Sequence, residues 1–318
     1  MHGSGADLLM LLVLLAGAFV VPILANRLRL PSAVLLIAYG LGVGPKALNL
    51  VIDTAVVGVL SEVGFILLMF LAGLEIDFNG IRRRGRKALL VMLAICLVIF
   101  GISFTAAWLL GLHPIFGLAL GATSVGLPLA VLKEMGRLRS PLGQQILLLG
   151  SVGEFLTVLG MTLFYFGVRY GMSWQLALGL GKLVGVLVIA GLSLRVGTAW
   201  AWWRPNRFSN LVAEHEGSEI GVRASLLVMM AFSSLAIWAG VESIVGSFLA
   251  GALIAFVFRG KEVLEEKLAV VGHGLFVPIF FVVVGLRFDP AAVDGPNLLL
   301  AGELLLAAFI ARVLPSLA

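Results

Sequence analysis

Glu154 is a carboxyl side chain in the middle of a long apolar run, and its type and setting suit ion chemistry. Ser151 and Thr157 lie three residues before and after it, so on a helix all three share a face. Placing a charge this deep in an apolar span costs about 2.5–3.5 kcal/mol, which calls for a reason. Such a carboxyl can exchange a proton for a cation. Alternatively, it stays protonated and bonds a neighbouring helix.

A second polar stretch, Gly121-Ala-Thr-Ser-Val-Gly-Leu-Pro128, interrupts the apolar run 114–132. Its glycine and proline weaken a helix, while Thr123 and Ser124 carry hydroxyls that can satisfy freed carbonyls or face an ion. Transporters place ion sites at discontinuous helices near the middle of the membrane. A simple proline kink explains the same residues equally well.

Two further charges lie within apolar runs. Arg312 lies near the end of its run, and span length alone predicts that its guanidinium snorkels to the membrane surface. Glu62, within Leu-Ser-Glu-Val-Gly-Phe, is deep enough to brace two helices or to take part in the chemistry. The sequence leaves both interpretations of Glu62 open.

The elements that must position these groups are membrane helices. Hydrophobic residues make up 61% of the 318 residues, charged residues 12%, and the mean hydropathy is +1.12. Soluble domains are about half apolar and a quarter charged, so this composition excludes a soluble enzyme. Backbone groups in lipid must be satisfied internally, and apolar runs of about twenty residues without alternation indicate helices rather than a barrel. Motifs for zinc or nucleotide binding are absent, so we predict no enzyme activity and no cofactor.

About eleven spans are predicted, at 7–25, 31–44, 54–76, 88–111, 114–132, 143–167, 174–203, 219–238, 240–258, 273–286 and 297–318. Most loop lysines and arginines fall in alternate loops, and the loops between hold only Lys46, Arg169 and Arg287. This asymmetry predicts an outside N-terminus and a cytoplasmic C-terminus, and it assigns the basic residues to orientation rather than to nucleic acid. The charged segment 259–270 is predicted to lie on the cytoplasmic surface as an interfacial helix.

Two pairs of segments resemble each other. Residues 66–77 and 279–289 are apolar helices that both end in Gly-Leu-X-apolar-Asp, and 31–40 loosely matches 242–251. The span count places the third and tenth spans in opposite directions. Similar sequence in opposite orientation predicts an inverted-topology repeat, as in many secondary transporters. Chance similarity among apolar helices is the alternative.

The order of motifs resembles the cation:proton antiporter-2 family, whose membrane domain is of the sodium/hydrogen exchanger type (Kef-type or Nha-type). The resemblance covers nearly the whole chain and rests on residues 30–45, 60–75, 122–124, 246–251 and 278–285. It implies an all-α inverted-repeat antiporter fold with a discontinuous helix and with core and scaffold domains. It also implies a single transmembrane domain over 1–318, about two helices short of the family pattern.

The resemblance further implies roles for individual residues. Thr123 and Ser124 belong to the first broken helix, and Arg312 falls where the family has a basic residue in the core domain. Gly153 and Glu154 occupy the positions of an acidic pair, so this chain departs from the family at both positions. Ion choice between Na+ and K+ is therefore left open.

The predicted function is exchange of protons for Na+ or K+ by alternating access in a bacterial inner membrane, by a homodimer. With Gly153 in place of an acid and an arginine that keeps its proton, only Glu154 is left to titrate, which predicts electroneutral exchange. Two alternatives remain open: a non-transporting sensor or assembly module on the same fold, and a solute symporter of a related inverted-repeat fold.

Overall fold

The structure of the chain, a computed structural model, consists of α-helices and short connections. The residues that it describes are 3–28, 30–76, 78–123, 128, 131–132, 135–138, 140–170, 174, 178, 181–182, 184–185, 188–189, 191–193, 195–196, 219–257, 262–292 and 295–313. Over these ranges no β-strand is present, and the predicted all-α fold class is confirmed.

In chain order, the helices that are described along their whole length are α1 (Gly3–Leu28), α2 (Ser32–Val43), α3 (Ala55–Leu74), α4 (Phe78–Leu109), α5 (Pro114–Gly121), α6 (Pro141–Tyr170), α7 (Ile220–Trp238), α8 (Ser243–Val257), α9 (Glu262–Val271), α10 (Val277–Leu286) and α11 (Gly295–Val313). Most of them match predicted spans, but α4 begins ten residues earlier than predicted and α5 ends eleven residues earlier. The predicted span 174–203 lies largely outside the described residues, and its described positions are helical.

Among the described helices, six are long and apolar enough to cross a membrane, and α2 and α8 are apolar but shorter. Large apolar side chains such as Phe19, Trp108 and Leu305 are exposed on the outer faces of α1, α4 and α11. Because lipid is the solvent that such faces require, the chain is a multi-pass membrane protein.

The prediction that segment 259–270 lies on the membrane surface is wrong. Helix α9 continues through a π-helical turn (Gly272–Phe276) into α10, and together they form one apolar span over Val263–Leu286. Leu264 and Leu268 are buried in a cluster with side chains of α3, α7 and α8. The charges in this segment suggested a helix on the membrane surface, but Glu265 is buried together with Leu264 and Leu268, while Glu266 and Lys267 remain at least partly exposed.

Two groups of helices pack chiefly within themselves. The scaffold bundle consists of α1–α3 and α7–α10, and the core bundle consists of α4–α6 and α11. Helix α3 lies at the centre of the scaffold bundle, where its residues 66–74 are buried throughout. The buried Ser247 hydroxyl of α8 donates to the carbonyl of Ile66, which adds a polar link to this apolar interface.

Helices α2 and α10 cross in close backbone contact, which we call the α2–α10 crossing. A Cβ atom on Gly40 would overlap the carbonyl oxygen of Val282, and a Cβ atom on Gly285 would overlap that of Ile37. Each glycine therefore faces the carbonyl of the residue three positions before the other glycine. Only a residue without a side chain permits backbones to approach this closely.

The α3–α8 crossing repeats this geometry with other residues. A Cβ atom on Gly251 would overlap the carbonyl oxygen of Phe70, and one on Gly73 would overlap that of Phe248. In the sequence repeat Gly251 corresponds to Gly40 and Gly73 to Gly285, and the contacted carbonyls correspond in the same way. Two crossings whose glycines and carbonyls correspond in this way indicate a structural repeat related by a pseudo-two-fold axis and argue against chance similarity.

Charged pairs connect the loops at one end of the scaffold bundle. The Arg287 Nε donates to Asp53 at 2.8 Å, and Lys46 lies 3.3 Å from Asp289. Hydrogen bonding to Asp53 raises the pKa of Arg287, and the charge of Glu62 adds to this effect. Glu62 is exposed and acts on Arg287 by its charge alone, and both interpretations of Glu62 stay open.

Candidate functional site

Helix α5 is too short to cross a membrane by itself. It begins at Pro114 and ends after eight residues at Gly121, a length of about 12 Å against about 30 Å for the hydrocarbon core. Ala122 has extended backbone angles (φ −58°, ψ 120°), so the helix is interrupted at the start of the polar stretch that the sequence singled out. The break leaves backbone groups that need partners within the protein.

The first partner of the break is Thr157 on α6. Its Oγ1 accepts a hydrogen bond from the backbone N–H of Thr123 at 3.3 Å and donates one to the carbonyl of Gly153 at 2.7 Å. This hydroxyl therefore links the non-helical backbone after α5 to the middle of α6. Sequence reasoning singled out Thr157 as a neighbour of Glu154, and the structure adds that it fixes the break.

The second partner is Arg312 on α11. Its Nη2 donates to the carbonyl of Ala122 at 2.8 Å, and its Nη1 donates to the carbonyl of Ala308 at 3.0 Å. The guanidinium thus lies at the C-terminal end of α5, where the helix dipole favours a positive charge. Span length alone predicted snorkelling to the surface, whereas this side chain reaches the broken helix.

Because Gly153 has no side chain, Thr123 after the end of α5 can pack directly against α6. A Cβ atom there would overlap Oγ1 of Thr123 and would lie 3.5 Å from Sγ of Cys96 on α4. The thiol of Cys96 is buried and lies 3.9 Å from the carbonyl oxygen of Leu149. Thr123 therefore occupies the space that any side chain at position 153 would need. Sequence reasoning missed Cys96, because only its place in the fold brings it here.

Glu154 lies on α6 between two packed faces. Gly153 and Thr157 face the break, whereas Leu147 packs in a cluster with side chains of α2, α3 and α10 in the scaffold bundle. At about 100° per residue, Glu154 projects between these two directions. Its side chain is half-buried, so it is positioned at the boundary between the two bundles.

Ser151 lies one turn before Glu154, on the scaffold side of α6. It is 5% exposed, and within the described part of the chain its Oγ has no hydrogen-bond partner. Burying an unpartnered hydroxyl costs free energy, so this oxygen is available to a ligand. Ser124, the remaining predicted residue, lies outside the described residues.

Comparison with known proteins places this geometry in a family. The model of the family described as "Sodium/hydrogen exchanger, transmembrane" matches residues 14–318. The solved structure of the sodium proton antiporter MjNhaP1 from Methanocaldococcus jannaschii matches with a TM-score of 0.68 at 18% identity, over 100% of this chain and 80% of that one. At this identity the match shows the fold alone.

Three named relatives are similar in sequence. YjbQ of Bacillus subtilis, named provisionally as a Na(+)/H(+) antiporter, is 31% identical over 99% of this chain and 53% of its own length. The Na(+)/H(+)-K(+) antiporter GerN of Bacillus cereus is 28% identical over 83% of this chain and 67% of its own length. The Na(+)/H(+) antiporter of Enterococcus hirae is 29% identical over 84% of this chain and 69% of its own length.

The chain therefore spans about half the length of YjbQ and about two thirds of the length of the other two. The family match covers most of the chain, and the relatives are transporters by name rather than enzymes. By fold, by the broken helix α5 and by sequence, the chain belongs to the transmembrane sodium/hydrogen exchanger family.

Proposed function

We propose that this chain is the transport unit of a cation:proton antiporter that exchanges H+ for Na+ or K+. The observation that carries the proposal is the broken helix α5, held by Thr157 and Arg312 beside the half-buried Glu154. A carboxylate next to an interrupted helix provides oxygen ligands for a dehydrated cation, and the same carboxyl can bind a proton instead. The competition between the two couples the fluxes.

The hydroxyls around Glu154 supply the remaining ligands in this proposal. The Ser151 Oγ is buried and unpartnered among the described residues, which suits a ligand that is absent between turnovers. Thr123 lies at the break, Thr157 holds the break in place, and Ser124 is the next residue in the sequence. Arg312 acts as a charge partner, because it offsets the C-terminal end of α5 and keeps its positive charge throughout the cycle.

Movement of the core bundle against the scaffold bundle provides alternating access. Glu154 lies at the boundary between the bundles, so a small displacement of α6 exposes it to one side of the membrane or to the other. The named antiporters among the relatives support this assignment. We further propose a homodimer in a bacterial inner membrane, with the N-terminus outside and the C-terminus in the cytoplasm.

The test uses proteoliposomes that hold the protein together with a pH-sensitive dye. Glu154→Gln should abolish proton flux driven by Na+ or K+, because glutamine resembles the protonated carboxyl and binds no proton. Glu303→Gln is the matched control, since Glu303 is exposed and lines an apolar groove between α4 and α11. Proton flux that persists in the Glu154→Gln variant contradicts the proposal.

Electroneutrality is a separate part of the proposal. Gly153 leaves Glu154 as the carboxyl that titrates at the paired positions, and Arg312 stays protonated. One proton for one monovalent cation moves no net charge, so sodium-driven flux should not respond to membrane potentials set by potassium and valinomycin. A flux that follows the imposed voltage would mean that a second group carries a proton.

A further inference from the structure

A groove lies against α7 of the scaffold bundle. Its volume is about 450 Å³, and it runs between α7 and the helical residues of the predicted span 174–203. Leu178, Ile189 and Leu235 give it apolar walls, and Trp174 and Trp238 are exposed at its edge. We call it the tryptophan groove.

One positive charge lies in the tryptophan groove. The Lys182 ammonium is 5.5 Å from the ring centroid of Trp238, a distance that allows a cation–π contact. Trp238 is the last residue of α7, so the ammonium reaches the level of the helix end. Tryptophans at helix ends lie at the depth of the lipid headgroups. Within the described part of the chain, no carboxylate forms a salt bridge with Lys182.

Two glycines form the floor of the tryptophan groove beside this charge. Gly181 and Gly185 are four residues apart and share a helix face, and nothing lies within 4 Å of a Cβ atom placed on either. The helix surface is therefore recessed along the stem of Lys182. A recess of this kind has room for an acyl chain that extends from a headgroup held at the ammonium.

We propose that the tryptophan groove binds an anionic phospholipid, with its phosphate on Lys182 and an acyl chain over Gly181 and Gly185. The charge decides between a lipid and a second copy of the chain. A two-fold interface through this groove would have to offer Lys182 a partner from the same lining residues, and these include no carboxylate. A lipid phosphate complements the ammonium, and the apolar walls match its acyl chain.

The first test measures lipid retention on the purified protein by native mass spectrometry, with phosphatidylglycerol or phosphatidylcholine added. The wild type should retain phosphatidylglycerol more strongly, and Lys182→Gln should lower that retention about fivefold, the effect of one basic side chain near a membrane surface. Lys182→Arg should keep it. Lys46→Gln is the control, because Lys46 is an exposed loop lysine elsewhere. Equal retention by wild type and Lys182→Gln, or no preference between the two lipids, overturns the proposal.

The second test fills the floor of the groove. Gly185→Leu should lower phosphatidylglycerol retention about tenfold by displacing about two methylene groups of the acyl chain. Gly191→Leu lies on the same segment, also has open space around its Cβ, and should leave retention unchanged. A Gly185→Leu variant that changes the oligomeric state but not lipid retention would assign the groove to contact between copies. Both tests are independent of ion transport, so their outcome is distinguishable from failure of the antiport proposal.

Discussion

Four glycines of the scaffold bundle and Gly153 of the core bundle make different kinds of contact. In the scaffold bundle, Gly40, Gly73, Gly251 and Gly285 each face a backbone carbonyl of a crossing helix. In the core bundle, Gly153 faces the hydroxyl of a threonine that follows an interrupted helix. The first arrangement lets two rigid helices touch. The second lets a polar side chain sit against the middle of α6.

The four glycines at the helix crossings are needed for the fold, whereas Gly153 is needed for the shape of the site. A carbonyl at a helix crossing moves only if the whole helix moves, so a side chain at these four positions acts on the scaffold itself. A threonine side chain can rotate or shift with its short segment. A side chain at position 153 should therefore disturb the site more than the fold.

The largest effect is expected at the crossings. Gly40→Val should abolish well-folded protein, because its Cβ would overlap the carbonyl oxygen of Val282, and a clash with backbone costs more than the ~1–3 kcal/mol of ordinary side-chain overpacking. Gly42→Val, on the same helix with nothing within 4 Å of its Cβ, is the matched control. Fluorescence-detected size-exclusion chromatography should show a monodisperse peak for the Gly42→Val variant and none for the Gly40→Val variant. Similar peaks for both variants would remove the distinction between the bundles.

A smaller loss of stability but a clear loss of transport is expected for Gly153→Ala. Its Cβ would displace the Thr123 hydroxyl, and displacement by about 1 Å at a reacting site can cost roughly 100-fold in rate. In a Thr123→Gly background the same change should be less destabilising, with a coupling of about 0.5–3 kcal/mol in thermal unfolding. Additive effects of the two changes would show that the contact is not the cause.

The smallest effect is expected for Thr157→Val. This change leaves the Thr123 N–H without its partner, at a cost of about 1–3 kcal/mol and a few degrees of melting temperature. Thr105→Val is the control, because the Thr105 hydroxyl only bonds the carbonyl of Gly101 within α4 and is exposed. Equal melting temperatures for the two variants would mean that the break needs no such tie.

The helices and their repeat were predictable because they depend on local patterns. Apolar length sets the spans, and the aligned motifs at 31–40 and 242–251 already paired Gly40 with Gly251. The failure at 259–270 has a physical cause as well. The charged residues lower the mean hydropathy of that segment. Burial of Leu264 and Leu268 instead depends on which face of the helix packs against α3, and the sequence does not show that α3 is its neighbour.

The sequence names candidate residues for a site but gives none of the contacts between them. Glu154 and Thr123 stand out as polar groups in apolar surroundings, and that signal is local. The bond from Arg312 to the carbonyl of Ala122 spans 190 residues, and its acceptor is backbone, which carries no side-chain signature. The approach of Cys96 to Gly153 depends in the same way on how α4 packs against α6.

The π-helical turn at Gly272–Phe276 has a consequence for how this span tolerates insertions and deletions. A π-helical turn holds one residue more than an α-helical turn, and each residue of an α-helix advances the chain by about 100°. Gly274 lies in this turn with open space around it. Losing that single residue would convert the turn to regular helix and leave α10 close to its present rotation relative to α9. A residue lost elsewhere in α9 or α10 has no such turn to absorb it, so it would rotate α10 by about 100° and point Gly285 away from Ile37.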